Sequence, residues 1–254
     1  MAPLYEQALA HHQAVGNQAN EGGTLNNLGY VALMLGDYAA AALTFGQARA
    51  LFARIGYRQN EGIAHVNLAM AQLLQGHTAA AKSEARAAVA LLQASADRWA
   101  QGAALRVIGQ ASLAQGDTDG AQAAFTASRD LYHDLHLPHL ALEAVAGLAA
   151  VALARGQTAS ALDQVETILA QRAAGLSLEG TEEPARIQLI CHQVLVAADD
   201  GRADAVLREA CEALLSRAER ITDPARRRTF LQAVPYHREL LAAWPSSAGL
   251  ATRC

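Results

Sequence analysis

The sequence has few aromatic residues, almost no lysine and no run typical of β-strands. Aromatic side chains make up only 5% of its 254 residues although 52% are hydrophobic, and alanine supplies the difference. Because alanine has the highest helix propensity and runs of Val, Ile and Thr are missing, the composition predicts an all-α fold. Lys82 is the only lysine, and 20 basic against 24 acidic residues give a net charge of −4. This balance offers no basic excess for binding nucleic acid.

Several kinds of motif are also missing. Cys191, Cys211 and Cys254 are widely spaced and form no CxxC pair, which argues against a disulfide framework and fits a reducing cytoplasm. The first 40 residues contain no Lys or Arg, so no signal peptide is expected. No apolar run is long enough for a membrane span. Because the GxxxxGK[ST], GxSxG, HExxH and GxGxxG patterns do not occur, we expect no enzymatic activity, cofactor or metal.

What the sequence does contain is a repeat with a period of 40 residues. A glycine follows a leucine-rich stretch at Gly36, Gly76, Gly116 and Gly156, and each spacing (76−36, 116−76, 156−116) equals 40. Other columns keep the same register: Leu28, Leu68, Ile108 and Leu148; Gly29, Ala69, Gly109 and Ala149; Ala41, Ala81, Ala121 and Ala161; Phe45, Ala85, Phe125 and Val165. Such a period is typical of stacked repeats rather than of one central core.

Each repeat reads as two helices separated by a tight turn. Apolar residues stand at helical spacing both before and after each repeat glycine. The glycine suits the left-handed cap that ends a helix, and Asp37 or Asp117 directly after it can cap the next one. Small residues such as Gly29 let the two helices pack closely, and large ones such as Phe45 fill the space between hairpins.

These columns resemble the tetratricopeptide repeat. Gly29, Ala41, Phe45 and Ala48 stand at the small, alanine, aromatic and alanine positions that mark that repeat. The usual repeat has about 34 residues, and the longer period here resembles the variant of kinesin light chains and bacterial signalling proteins. The resemblance implies an all-α, right-handed superhelical solenoid of antiparallel helix hairpins. It also implies a scaffold that binds a protein or peptide ligand in a concave groove. From the charge balance and the lack of a long apolar run, we expect neither nucleic acid nor membrane as a partner.

The repeat register divides the chain into eight segments. We expect the second helix of an incomplete repeat at 1–20, repeats at 21–60, 61–100 and 101–140, a repeat with a loop at 141–184, a divergent repeat at 185–222, a capping helix at 223–244 and a disordered tail at 245–254. Residues 1–20 align with 41–60, which places a half hairpin first. Either Met1 is a true start with an atypical cap, or the chain is the C-terminal piece of a longer protein, and we expect the latter. The half hairpin also leaves an open apolar edge that favours self-association.

The C-terminal part carries a second resemblance. It rests on Ile221, Asp223, Pro224, Arg227, Phe230, Leu231, Val234, Pro235 and Arg238. This motif resembles the end of large bacterial signalling proteins that join a nucleotide cyclase or DNA-binding activator to a STAND-type ATPase and a tetratricopeptide tail. No phosphate loop occurs here, so the ATPase activity is not implied. The resemblance implies a regulatory tail that binds a protein segment, or alternatively a module that senses a small inducer and biases a switch.

In tetratricopeptide arrays the first helix of each hairpin lines the groove. The register then predicts the groove residues as Asn26, Asn27, Tyr30, Met34, Asn67, Met70, Arg106 and Gln110. Asn27 and Asn67 stand one period apart, and their amides can both donate to and accept from an extended peptide backbone. Met and Tyr side chains add adaptable apolar contact. The alternative is that these asparagines brace neighbouring hairpins.

Three other groups of residues have a structural interpretation beside a chemical one. His133, His136 and His139 are spaced for a metal, but Pro138 should end the helix between them. Cys191 and His192 are adjacent on a predicted helix and diverge, which favours a buried structural cysteine over a catalytic pair. The run 226–228 of three arginines suggests a phosphate site, but three consecutive arginines spread around a helix, so the run reads as a solvated face with one arginine pairing with the acidic turn at 199–200.

Overall fold

A computed structural model describes residues 2–244 of the chain, and within that range it contains helices and no strand. The thirteen helices in this range are α1 (Ala2–Ala14), α2 (Gln18–Met34), α3 (Tyr38–Ile55), α4 (Arg58–Leu74), α5 (Thr78–Ala94), α6 (Arg98–Ala114), α7 (Thr118–Asp134), α8 (Pro138–Ala154), α9 (Thr158–Ala173), α10 (Pro184–Ala197), α11 (Ala203–Glu219), α12 (Pro224–Gln232) and α13 (Pro235–Ala243). The helices from α2 to α11 form five successive hairpins, as expected for a solenoid of antiparallel helix pairs. The predicted fold class is therefore confirmed.

The turns inside the first four hairpins use the residues that the repeat provides. The repeat glycines all have positive φ angles, for example 84° at Gly36, which favour glycine and end the first helix. The carboxylate of Asp37 then accepts a hydrogen bond from the Ala40 amide at 3.1 Å. Asp117 does the same for the Gly120 amide at 2.9 Å. These caps fix where α3 and α7 begin, while α5 and α9 begin without a side-chain cap.

Aromatic rings fill the space that the small residues leave between helices. A Cβ added at Gly29 would lie 2.7 Å from the Phe45 ring, and one at Gly147 would lie 2.4 Å from the Phe125 ring. Both rings are completely buried. The small and aromatic columns of the repeat thus pack ring on backbone within a hairpin, at Gly29 with Phe45 and Gly109 with Phe125. Gly147, which stands in a different column, provides the same contact between hairpins.

The C-terminal segment differs from the predicted single capping helix. Residues 224–243 form two helices because Pro235 occupies the first turn of α13 and cannot continue α12. The two helices pack on the last hairpin and also reach the first one. Val234 belongs to the same buried cluster as Leu33 and Met70. The solenoid's two ends are thereby joined, while the predicted tail at 245–254 lies outside the described residues.

His237 on α13 gives the fold a specific acid sensitivity. It is 5% exposed, and its Nδ1 lies 2.8 Å from the Phe230 carbonyl oxygen. Burial lowers the pKa of His237 to about 4, with Arg217 acting in the same direction and the Phe230 carbonyl against it. The folded state therefore binds fewer protons than the unfolded state at mildly acidic pH.

Between about pH 6.5 and pH 4, we expect the wild type to lose about 3 kcal/mol of stability that a His237→Gln variant does not lose. The sign follows because a proton must leave His237 on folding in this range. Urea denaturation of both proteins across the range measures the difference. Parallel pH profiles for the two proteins would contradict this assignment, since every other titrating group is common to both.

Candidate functional site

A large opening lies on the concave face of the solenoid, beside a crossing segment of the chain. Residues 176–183, called the strap below, lie between α9 and α10. Glu182 and Glu183 of the strap contact Arg106 of α6, and Glu182 also contacts Glu143 of α8. Next to the strap lies a cavity of about 540 Å³. It is lined by first helices of four hairpins and by the strap, through Asn26, Asn27, Tyr30, Ile63, Val66, Asn67, Trp99, Ala100, Ala103, His139, Leu140, Gly180, Thr181 and Glu182.

Two aromatic side chains are half exposed at this cavity. Tyr30 is 41% exposed and Trp99 is 46% exposed. Partial burial raises the pKa of Tyr30, and the nearby Glu182 carboxylate raises it further, so the phenol stays protonated. Trp99 was not among the predicted groove residues, although it stands one period before His139 on the same cavity wall. The recurrence of a ring side chain in this column of the repeat, first Trp99 and then His139, was the sequence signal for a shared wall.

The predicted asparagines have two different roles. Asn67 donates a hydrogen bond from Nδ2 to Oδ1 of Asn26 at 3.0 Å, which braces the first two full hairpins. The partner of Asn67 is therefore Asn26 and not its repeat equivalent Asn27. Asn27 is exposed and lines the cavity. Of the three amides, the one at Asn27 is the most accessible to a ligand.

Met34 and Met70 face a different environment from the one expected. Both line a small cavity of about 40 Å³ under the C-terminal helices, together with Phe230, Val234 and Tyr236. Met70 is 5% exposed. The chain's own α12 and α13 therefore cover this part of the concave face, and the two methionines contribute to the join between the solenoid's ends.

Arg106 and Gln110 are the clearest departure from the predicted groove. Arg106 is 1% exposed and Gln110 is 8% exposed, because the strap lies over them. Arg106 Nη1 donates to Glu183 Oε2 at 2.8 Å, and Gln110 Nε2 donates to the same oxygen at 2.5 Å. Arg106 Nη2 donates to Glu182. The repeat register predicted both residues on the concave face as ligand contacts. In the structure their donor groups are already bound by carboxylates of the chain itself.

A third carboxylate completes this buried cluster. Glu143 is 1% exposed, and its Oε2 lies 2.8 Å from Arg106 Nε at an angle outside hydrogen-bond geometry. Glu143 also accepts a hydrogen bond from the Glu182 amide. Burial raises the pKa of Glu143 well above its ordinary value, and Arg106 opposes that shift. The cluster links α6 and α8 to the strap and so fixes one wall of the cavity.

The histidine and cysteine candidates do not form chemical sites. His133 lies on α7, His136 in the following turn and His139 on α8, which begins at Pro138. Within residues 2–244 no three His, Cys, Asp or Glu side chains are grouped to hold a metal. Burial raises the pKa of the Cys191 thiol to about 12, which disfavours the nucleophilic thiolate. The adjacent His192 points to the Ala203 carbonyl, 3.2 Å away.

The expected pairing of the arginine run with the acidic turn is wrong. Asp200 is bound instead by Arg202, whose Nε lies 2.9 Å away, because the two residues share the tight turn before α11. Arg226 lies 3.6 Å from Asp223, and Arg227 donates to the Ile221 carbonyl at 2.8 Å. The run therefore anchors the start of α12 locally.

In the part of the chain that the structure describes, no helix combines the length and apolarity that crossing a membrane requires.

Comparison with known proteins relates the chain to solved structures only. No protein-family profile and no curated protein sequence matches it. BtubC (BKLC) from P. vanneervenii superposes with a TM-score of 0.66 at 12% identity, covering 88% of this chain and 92% of that one. A Rap protein complexed with Competence and Sporulation Factor gives a TM-score of 0.65 at 15% identity, over 95% of this chain and 68% of that one.

A third similar structure has kinesin light chain repeats. The putative kinesin light chain of Podosopora anserina, with nearly identical TPR-like repeats, gives a TM-score of 0.56 at 18% identity over 78% of this chain and 95% of that one. Identities this low relate the folds and not the functions. The chain therefore has the fold of a tetratricopeptide-like helical solenoid.

Proposed function

We propose that this chain is a scaffold that binds an extended segment of a partner protein in the concave cavity beside the strap. The observation that carries the proposal is the presence of two half-exposed aromatic side chains, Tyr30 and Trp99, on one cavity. Large aromatic residues exposed on a concave surface are typical anchors for a ligand. The exposed amide of Asn27 adds hydrogen-bonding capacity for a peptide backbone.

The shape of the site supports an extended ligand. The cavity is lined by first helices of successive hairpins, from α2 to α8, so it runs along the solenoid rather than into one hairpin. Recognition of an extended segment needs backbone hydrogen bonds and pockets for alternate side chains. The Rap structure contains a bound factor, which supports a solenoid of this kind as a receptor.

Replacing Trp99 with alanine should weaken binding of a segment selected from a peptide display library by about ten- to thirtyfold, since truncating an aromatic anchor typically costs about 2 kcal/mol. Tyr30→Ala should act in the same direction. Isothermal titration calorimetry measures both effects. The matched control is Tyr57→Ala, because Tyr57 is 50% exposed but lies outside the cavity. Equal losses for Trp99→Ala and Tyr57→Ala would contradict the proposed site.

A second candidate function is the sensing of a small effector. The observation in its favour is the cavity volume of about 540 Å³, which lies within the range of small-molecule sites. A small effector would raise the melting temperature in proportion to the logarithm of its concentration, and no displayed peptide would compete with it.

We propose either ligand as the input of a regulatory tail in a larger bacterial signalling protein, which the motif within residues 184–244 supports.

Self-association through the first helix stays a prediction. Leu4 on α1 is 70% exposed and Val15 directly after it is 60% exposed, so apolar side chains are available at this edge. Sedimentation equilibrium distinguishes a monomer from a dimer, and a Leu4→Glu variant shows whether this edge is responsible.

A further inference from the structure

The ionisable side chains that line the cavity have an uneven charge. Glu182 is the one carboxylate among the lining residues, and no lysine or arginine is among them. His139 also lies in the lining. Every fully charged side chain in the lining is therefore negative.

Glu182 is held in place and still has capacity for another partner. Its side chain is 31% exposed, and it accepts from Arg106 Nη2 while its backbone amide donates to Glu143. An ionised carboxylate offers about four lone-pair positions. Arg106 itself is shared among Glu143, Glu182 and Glu183. The single positive charge of Arg106 is therefore divided among three carboxylates and does not fully neutralise Glu182.

The aromatic side chains at the same cavity add a second attraction for positive charge. The face of a tryptophan or tyrosine ring carries partial negative charge and attracts ammonium and guanidinium groups. Trp99 and Tyr30 are each exposed by more than two fifths. A cation in this cavity would meet a carboxylate and two aromatic rings, and no fixed positive charge from the lining would oppose it.

We infer that the cavity is specific for a segment bearing a cationic side chain, which Glu182, Trp99 and Tyr30 together recognise. This inference rests on the proposed function and names the chemistry of its ligand. A lysine or arginine of the bound segment places its charged end beside Glu182 and its aliphatic stem against the aromatic rings. An acidic segment is disfavoured because it brings a second negative charge to Glu182.

The test uses three capped peptides of about ten residues, long enough to bind as an extended segment. Lysine, glutamine or glutamate alternates with alanine in the three peptides. Binding to the full chain is measured by calorimetry at low and moderate ionic strength. We expect the lysine peptide to bind at least about tenfold more tightly than the glutamate peptide. Glu182→Gln should reduce this preference severalfold, since its amide can still accept from Arg106 but carries no charge.

The matched control is Glu179→Gln. Glu179 is an exposed carboxylate on the same strap but is absent from the cavity lining, so both variants lose one negative charge from the same segment. A general attraction of lysine to a chain of net charge −4 would respond equally to the two substitutions. Equal responses, or no preference for lysine in the wild type, would overturn the inference.

The outcomes also separate this inference from the proposed function. If display-selected segments bind in a Trp99-dependent way while the lysine peptide shows no preference, the function stands and the cationic specificity falls. If no peptide of any charge binds, both fall.

Discussion

Replacing Arg106 with methionine should lower the free energy of unfolding by about 3–5 kcal/mol, because it removes one partner of a buried ion-pair cluster. Glu143 would then remain buried at 1% exposure without its guanidinium partner. Glu183, at 4% exposure, would keep Gln110 and the more distant Arg186, 3.8 Å away. Urea denaturation followed by circular dichroism measures the loss.

The control for this prediction lies on the same helix. Arg98, the first residue of α6, also forms an ion pair, with Asp134 at 2.9 Å. The two side chains of this pair are 47% and 61% exposed. Exposed pairs contribute at most about 1 kcal/mol, so Arg98→Met should be nearly neutral. A triple variant, Arg106→Met with Glu143→Gln and Glu183→Gln, should recover part of the loss. Equal effects for Arg106→Met and Arg98→Met would contradict the strap's role.

Replacing Phe125 with alanine should cost about 3–5 kcal/mol, since the ring is completely buried between two hairpins and its removal leaves a cavity. The same ring explains an expected loss of about 1–3 kcal/mol for Gly147→Ala. A Cβ at Gly147 would lie 2.4 Å from Phe125 Cε1, and the confined ring cannot move away. Both changes are measured as shifts in the free energy of unfolding.

A double substitution tests the contact itself. With Phe125→Ala present, Gly147→Ala should cost little, because the new methyl group enters the space that the ring left. The control is Gly46→Ala in α3, where an added Cβ meets nothing within 4 Å. That change should be neutral or stabilising by up to about 1 kcal/mol. Additive costs at positions 125 and 147 would show that the ring does not fill this space.

The solenoid could be predicted because its packing is periodic. Small and apolar columns recur every 40 residues, and the contact of Gly29 with Phe45 returns two periods later as that of Gly109 with Phe125. The resemblance to tetratricopeptide arrays predicted that the first helix of each hairpin faces inward, and the register then placed residues on that face. Tyr30 and Asn27 lie on the cavity for that reason.

The occupation of the groove could not be predicted, because the strap is not part of the period. Arg106 and Gln110 were placed on the concave face, but nothing in their spacing shows that Glu182 and Glu183, more than 70 residues later, lie over them. The only signals were two adjacent glutamates before Pro184 and an arginine in a column otherwise filled by Asn, Val and Ala. The joining of α13 to the first repeat is also a long-range contact between unrelated sequences.

The most direct test of a ligand-binding cavity uses the fluorescence of Trp99. Trp99 and Trp244 are the chain's two tryptophans, so a Trp244→Phe variant leaves Trp99 as the sole tryptophan reporter. Trp99 is 46% exposed, and a bound segment should bury it. We predict a blue shift of its emission that saturates with the same dissociation constant as calorimetry. Calorimetric binding without any change in Trp99 emission would contradict the proposed site.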